Sequence, residues 1–129
     1  MTLSKTLAGV IGPTMVVLAI GIFLNRALVP EMIDRLAGDY ALFLISGLLA
    51  LLGGIAIVRT HNIWKGWPVV ITVVGWLAIL GGVGRVLFPT PIVHIARAVV
   101  AQGVALPIAA AVVALVGAFL SYQGFARRA

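Results

Sequence analysis

The phrase RALVP, Arg26–Pro30, returns as RVLFP at Arg85–Pro89, and reading outward from the two copies decides the fold. Leu7–Leu24 leads into the first phrase and Pro68–Phe88 into the second, while Tyr40–Val58 and Ala98–Leu120 come after them as further apolar runs. A helix that crosses the hydrocarbon core needs about 20 predominantly apolar residues. Four spanning helices are therefore expected, none with Asp, Glu, Lys or Arg at its centre. Four crossings return the chain to the side on which it starts.

Composition places the chain in the same class. Of 129 residues, 63% are hydrophobic and only 9% charged, with a mean hydropathy of +1.23, whereas soluble domains carry about 25% charged residues. The length fits a single domain, residues 1–129. The net charge of +6 comes from single basic residues between apolar runs and not from a basic stripe, so no nucleic-acid partner is expected. With no cysteine, disulfides and thiolate chemistry are excluded. Lys5 and the first apolar run resemble the start of a secretory signal, but Asn25 and Arg26 stand where small residues should mark cleavage, so the run reads as an uncleaved anchor.

Each phrase leads into an amphipathic segment. In EMIDRLAGDY, residues 31–40, a helix places Met32, Ile33, Leu36 and Tyr40 on one face and Glu31, Asp34, Arg35 and Asp39 on the other. Glu31 and Arg35 have a favourable i,i+4 spacing, and Pro30 suits the first helical position. In PTPIVHIARAVV, residues 89–100, Thr90 is the expected cap and Pro91 the first helical residue, ahead of Ile92, Val93, Ile95, His94 and Arg97. Both segments read as short amphipathic helices lying at the membrane surface.

Superposing Arg26 on Arg85 carries Pro30 onto Pro89, Ile33 onto Ile92 and Leu36 onto Ile95, and each half ends in a small-residue-rich helix, LLALLGGIAIV and AAAVVALVGAF. The expected architecture is an all-α integral membrane four-helix bundle made of two tandem-repeated helical hairpins with short interfacial amphipathic helices. The first copy covers about 7–60 and the second about 66–124. Such copies run parallel, related by an axis along the membrane normal.

Orientation rests on Lys and Arg. Lys5, Arg59, Lys65, Arg127 and Arg128 fall on the side of the N-terminus, against Arg26, Arg35, Arg85 and Arg97 on the other. The positive-inside rule then puts both termini in the cytoplasm.

Chemistry-bearing residues are few. The loop RTHNIWKGWP, Arg59–Pro68, gathers His61, Asn62, Trp64, Lys65 and Trp67, a mixture that an aromatic belt and a polar turn also explain. His61 and His94 fall on opposite faces of the membrane, so one ion cannot take both, and no metal or cofactor is expected. Asp34 or Asp39 could meet His94 on one face, yet the three acidic residues suit a solvated helix face and no enzyme is expected. For transport, the spans offer only Thr14, Ser46, Thr72, Gln102 and the indole of Trp76, with no membrane carboxylate. Thr72 and Gln102 are the candidate lining of a pore.

Small residues carry more information. Ala50 and Gly54, Ala78 and Gly82, Ala110 and Ala114, and Ala114 and Ala118 are small-xxx-small pairs that let helices approach closely. Pro107 is expected to kink the fourth helix. Arg26 and Arg85, with His61, Asn62, Trp64 and Trp67, are the candidate contacts for lipid head groups or a partner.

The run His61-Asn62-Ile63-Trp64, then Trp67-Pro68, Thr72 and Gly75-Trp76, resembles a pattern in small, uncharacterised four-helix bacterial inner-membrane proteins. The resemblance implies an inner-membrane location and four spans, and carries no reaction or substrate. The functional expectation is a non-catalytic accessory or scaffold subunit, partnered by the bilayer and by another membrane protein or a second copy of itself. The alternative is a small homo-oligomeric channel or passive transporter.

Overall fold

Proline and glycine decide where the apolar runs break. A computed structural model describes residues 2–126 as α1 (Thr2–Leu24), a 3-10 turn (Arg26–Leu28), α2 (Val29–Gly38), α3 (Tyr40–Thr60), α4 (Val69–Leu87), α5 (Pro89–Ala101) and α6 (Ala105–Phe125), with no strand among the described residues. Pro30 and Pro89 each sit in the first turn of a short helix, where the missing N–H has no intrahelical partner to lose. The α3–α4 and α5–α6 breaks contain Gly66 and Gly103 at φ +70° and +76°, a backbone region open to glycine without strain. Arg127 and Arg128, two of the basic residues that bear on orientation, lie outside the described residues.

The helices α1, α3, α4 and α6 are long and apolar enough to cross a membrane, with mean hydropathies between 2.0 and 2.6. The chain is thus a multi-pass, all-helical membrane protein. Asp39 caps α3 by accepting from the Leu42 N–H at 3.3 Å, and the expected Glu31–Arg35 pair forms at 2.8 Å across one turn of α2.

Three expectations near the second phrase are corrected. Helix α5 begins at Pro89 with Phe88 as its cap residue, so Thr90 makes no cap hydrogen bond. The run Ala98–Leu120 is not one helix: Ala98–Ala101 belong to α5, and the last span starts at Ala105 after the Gly103 break. Pro107 consequently falls in the first turn of α6 and removes no internal hydrogen bond there.

The spans pack as two tight antiparallel pairs, α1 with α6 and α3 with α4. The close pairs therefore join the two halves of the sequence instead of lying within each half. In both pairs glycine backbones touch. A Cβ added to Gly117 would sit 2.8 Å from the Gly12 carbonyl oxygen and 2.9 Å from Val16 N, and one added to Gly54 would sit 2.7 Å from the Gly75 oxygen and 2.8 Å from Ile79 N. Each contact maps onto the other by a shift of 63 residues: 12 to 75, 16 to 79, 54 to 117. The shift also carries Ala19 onto Gly82 and Gly47 onto Ala110, all four buried. The loop phrases align at a shift of 59; Asn25 and the 3-10 turn, which have no counterpart between α4 and α5, lengthen the first half ahead of Pro30, and the longer α5 restores the shift after Pro89.

Contacts between the pairs are far sparser than those within each pair. Near the start of α1, Ala8, Ile71 and Leu120 form a buried cluster with Leu7, Ile11, Met15, Ile57, Trp67, Val70 and Val116 against it. At the other end α2 and α5 pack on each other. The result is a surface of 8135 Å², against roughly 6,500 Å² for a compact soluble chain of this mass.

Candidate functional site

The most deeply buried polar groups lie at the end of the bundle where α1 starts, α3 ends and α4 starts. Ser4, His61 and Thr72 are exposed by 1%, 1% and 0%. His61 is the residue that ends α3, its N–H bonded to the Ile57 carbonyl at 2.7 Å, while its ring turns inward. Ser4 Oγ lies 2.7 Å from His61 Nε2. Thr72 Oγ1 lies 3.3 Å from Nδ1 and accepts from Ile63 N–H at 3.1 Å. The single Thr72 hydroxyl proton goes to its nearest acceptor, the Ile63 carbonyl at 2.8 Å. Hydrogen-bond accounting then assigns the Nδ1–H tautomer to His61, so that Nε2 accepts from the Ser4 hydroxyl.

A serine hydroxyl donating to an oriented imidazole is also the arrangement of an activated nucleophile. Here both groups are sealed from solvent. The cluster acts as a latch. It fastens the end of α1, in one helix pair, to α3 and α4, in the other, and satisfies three groups whose burial would otherwise be costly.

The other residues of this loop are divided. Asn62 and Trp64 face outward and bond to each other, Trp64 Nε1 donating to Asn62 Oδ1 at 2.9 Å. Trp67 packs into the apolar cluster, and its Nε1 is buried with no hydrogen-bond partner among the described residues. Beside them, Lys5 Nζ donates to the Ala126 carbonyl at 2.8 Å, a cation at the C-terminal end of α6 where the helix dipole favours one.

The two arginines of the repeated phrase do different work. Arg26 is exposed, 4.5 Å above the Phe23 ring and bonded to the Phe23 carbonyl at 2.7 Å. Arg85 is half-buried and crosses from α4 to Ser46 on α3 at 3.2 Å. One closes its own helix, the other ties a helix pair.

Among the expected packing residues, Gly54, Gly82 and Ala110 are buried in the pair seams, Ala50, Ala78 and Ala114 are half-buried, and Ala118 is exposed. The seams repeat every seven residues, at Gly47 and Gly54, Gly75 and Gly82, Gly12 and Ala19, and Ala110, Gly117 and Gly124. Four-residue spacing cannot find Gly47 or Gly75, which have Phe43, Leu51, Ile71 and Ile79 at that distance; the seven-residue repeat, the mark of near-antiparallel packing, joins them to Gly54 and Gly82, and also links Gly12 to Ala19 and Gly117 to Ala110 and Gly124. Thr72 and Gln102 are not brought together: Thr72 is enclosed in the latch, and Gln102 is exposed in the break before α6, near the α2–α5 end.

At that end a cleft of about 530 Å³ opens between α2, the first turn of α3 and α5. Asp34 and Arg97 pair across it, with Arg97 Nη2 at 3.0 Å and Nε at 3.1 Å from the same oxygen, Oδ1. His94 and Tyr40 also line it, while Phe43 and Val93, both buried, form its apolar wall. Asp34 and His94 thus share one cleft, and Asp39 is occupied as the α3 cap. Compared with family models, curated proteins and solved structures, the chain finds no match.

Proposed function

We propose that the chain is a non-catalytic accessory or scaffold subunit of a complex in the bacterial inner membrane, with the latch end facing the cytoplasm. The observation that carries this reading is the distribution of packing. Both glycine seams are used inside the chain, yet the two helix pairs touch each other sparsely, leaving more surface than a compact chain of this mass has. A protein that arranges its spans this way offers long apolar flanks to neighbours in the bilayer. On one flank, an apolar groove of about 300 Å³ between α1 and α6 is lined by Ala19, Ile20, Phe23, Pro107, Ala111 and Ala114, a fit for a bulky side chain of an adjacent helix.

The matching contacts 63 residues apart support descent from a duplicated helix, stub, helix unit, with α2 and α5 as the interfacial stubs. Their exposed apolar residues, Met32 on α2 and Ile95 and Val99 on α5, support that placement.

Native mass spectrometry of protein extracted gently from its own membrane tests the function. A heterologous complex of fixed stoichiometry is the expected outcome. A closed homo-oligomer would transfer the reading to a pore, to be followed by flux measurements in liposomes. In the same assay Ala114→Phe, which fills the groove, should weaken assembly while leaving insertion unchanged.

A further inference from the structure

We propose that the cleft between α2 and α5 binds the phosphate and primary amine of a zwitterionic phospholipid head group of the phosphoethanolamine type. The proposal goes beyond the accessory reading and rests only on its placement of α2 and α5 at the membrane surface. Its basis is an ion pair that uses half of each partner. Arg97 spends Nε and Nη2 on a single oxygen of Asp34, so Nη1 and Asp34 Oδ2 have no hydrogen-bond partner among the described residues. Both side chains keep contact with solvent, at 49% and 66% exposure. A guanidinium nitrogen beside a carboxylate oxygen matches a ligand that carries a phosphate oxygen and an ammonium a few ångströms apart. The pair holds itself in register, which lowers the ordering cost of binding.

The surroundings select a lipid over a soluble zwitterion. His94 and Tyr40 add polar groups at the rim, while Phe43 and Val93 close one wall with buried apolar surface. The cleft opens where α3 begins and α4 ends, at the boundary of the apolar spans. A head group seated on Asp34 and Arg97 can lay the first carbons of its chains along that wall. Phosphatidylcholine offers the same phosphate but a methylated ammonium with no N–H for Asp34; phosphatidylglycerol offers no cation at all.

The full chain, purified in detergent, is given an equimolar mixture of phosphatidylethanolamine, phosphatidylcholine and phosphatidylglycerol with identical acyl chains, and retained lipid is read by native mass spectrometry. Phosphatidylethanolamine should be retained roughly fivefold over phosphatidylcholine, the scale of one partly exposed charge pair. Asp34→Asn should erase that preference while phospholipid is still retained, and Arg97→Gln should lower retention of all three. Glu31→Gln, on the solvent face of α2, is the control for a change of charge and should alter nothing. Equal retention by the unaltered chain, or a preference that survives both cleft variants, would overturn the proposal. So would displacement of the lipid by soluble glycerophosphoethanolamine, which would assign the cleft to a free metabolite. A nitroxide on a cysteine at Met32 reports the depth of α2: if it lies in water the interfacial placement fails, and if it lies in the membrane without lipid preference the head-group assignment fails alone.

Discussion

Single buried hydroxyls decide how the two helix pairs are joined. Thr72 bonds to Ile63 twice and faces the His61 ring, so Thr72→Val, which keeps the shape and removes the oxygen, leaves the Ile63 N–H and carbonyl without their partner. Its expected cost is about 1–3 kcal/mol. Ser4→Ala leaves one buried acceptor, His61 Nε2, without its donor, with an expected cost at the lower end of the same range, about 1–2 kcal/mol. Thermal unfolding in detergent checks the order, Thr72→Val below Ser4→Ala below the unaltered chain. Little of this is legible in the sequence. His61 reads there as a turn residue and Thr72 as a pore candidate, but their meeting with Ser4 depends on three helix ends converging. Ser4, a polar residue at the edge of an apolar run, carries no signal by itself. The half-burial of Arg85, set against the exposure of Arg26, is equally hidden, because the two occupy the same place in the repeated phrase.

At the scale of helices, close packing concentrates on a few glycines. A side chain at Gly54 would press on the Gly75 carbonyl and Ile79 N, rigid backbone that cannot rotate away. Gly54→Val should therefore separate α3 from α4 at a cost of about 1–3 kcal/mol. Its neighbour Gly53 has nothing within 4 Å of an added Cβ, so Gly53→Ala should be neutral or gain up to about 1 kcal/mol through helix propensity. Unfolding of the two variants in one detergent separates seam from surface, and equal effects would contradict this packing. The number and order of the helices are legible because apolar length is a strong signal. Their ends are less so. Hydropathy barely marks the α5–α6 break, since Val99, Val100 and Ala101 are as apolar as the span beyond it; the break itself holds Gln102 and the positive-φ Gly103.

Across the whole molecule, both tight pairs cross the midpoint of the chain. Separately expressed segments 1–65 and 66–129 should each insert, and each should lack a stable helix pair by itself; co-expressed, they should associate, which co-purification through a tag on one segment measures. Failure to associate would contradict the pairing of α1 with α6 and of α3 with α4. The repeated phrase, read as the mark of two like halves, is a poor guide to which helices touch, because packing follows the seven-residue seams. The pairing of α1 with α6 also has a consequence for biosynthesis. Of the four spans, α1 is made before the other three and meets its partner only after all of them: Ala105 is made long after Leu24, a delay on the order of ten seconds at ordinary rates of synthesis. Throughout that interval the glycine face of α1 waits uncovered in the bilayer, leaving the nascent chain open to membrane quality control until α6 arrives.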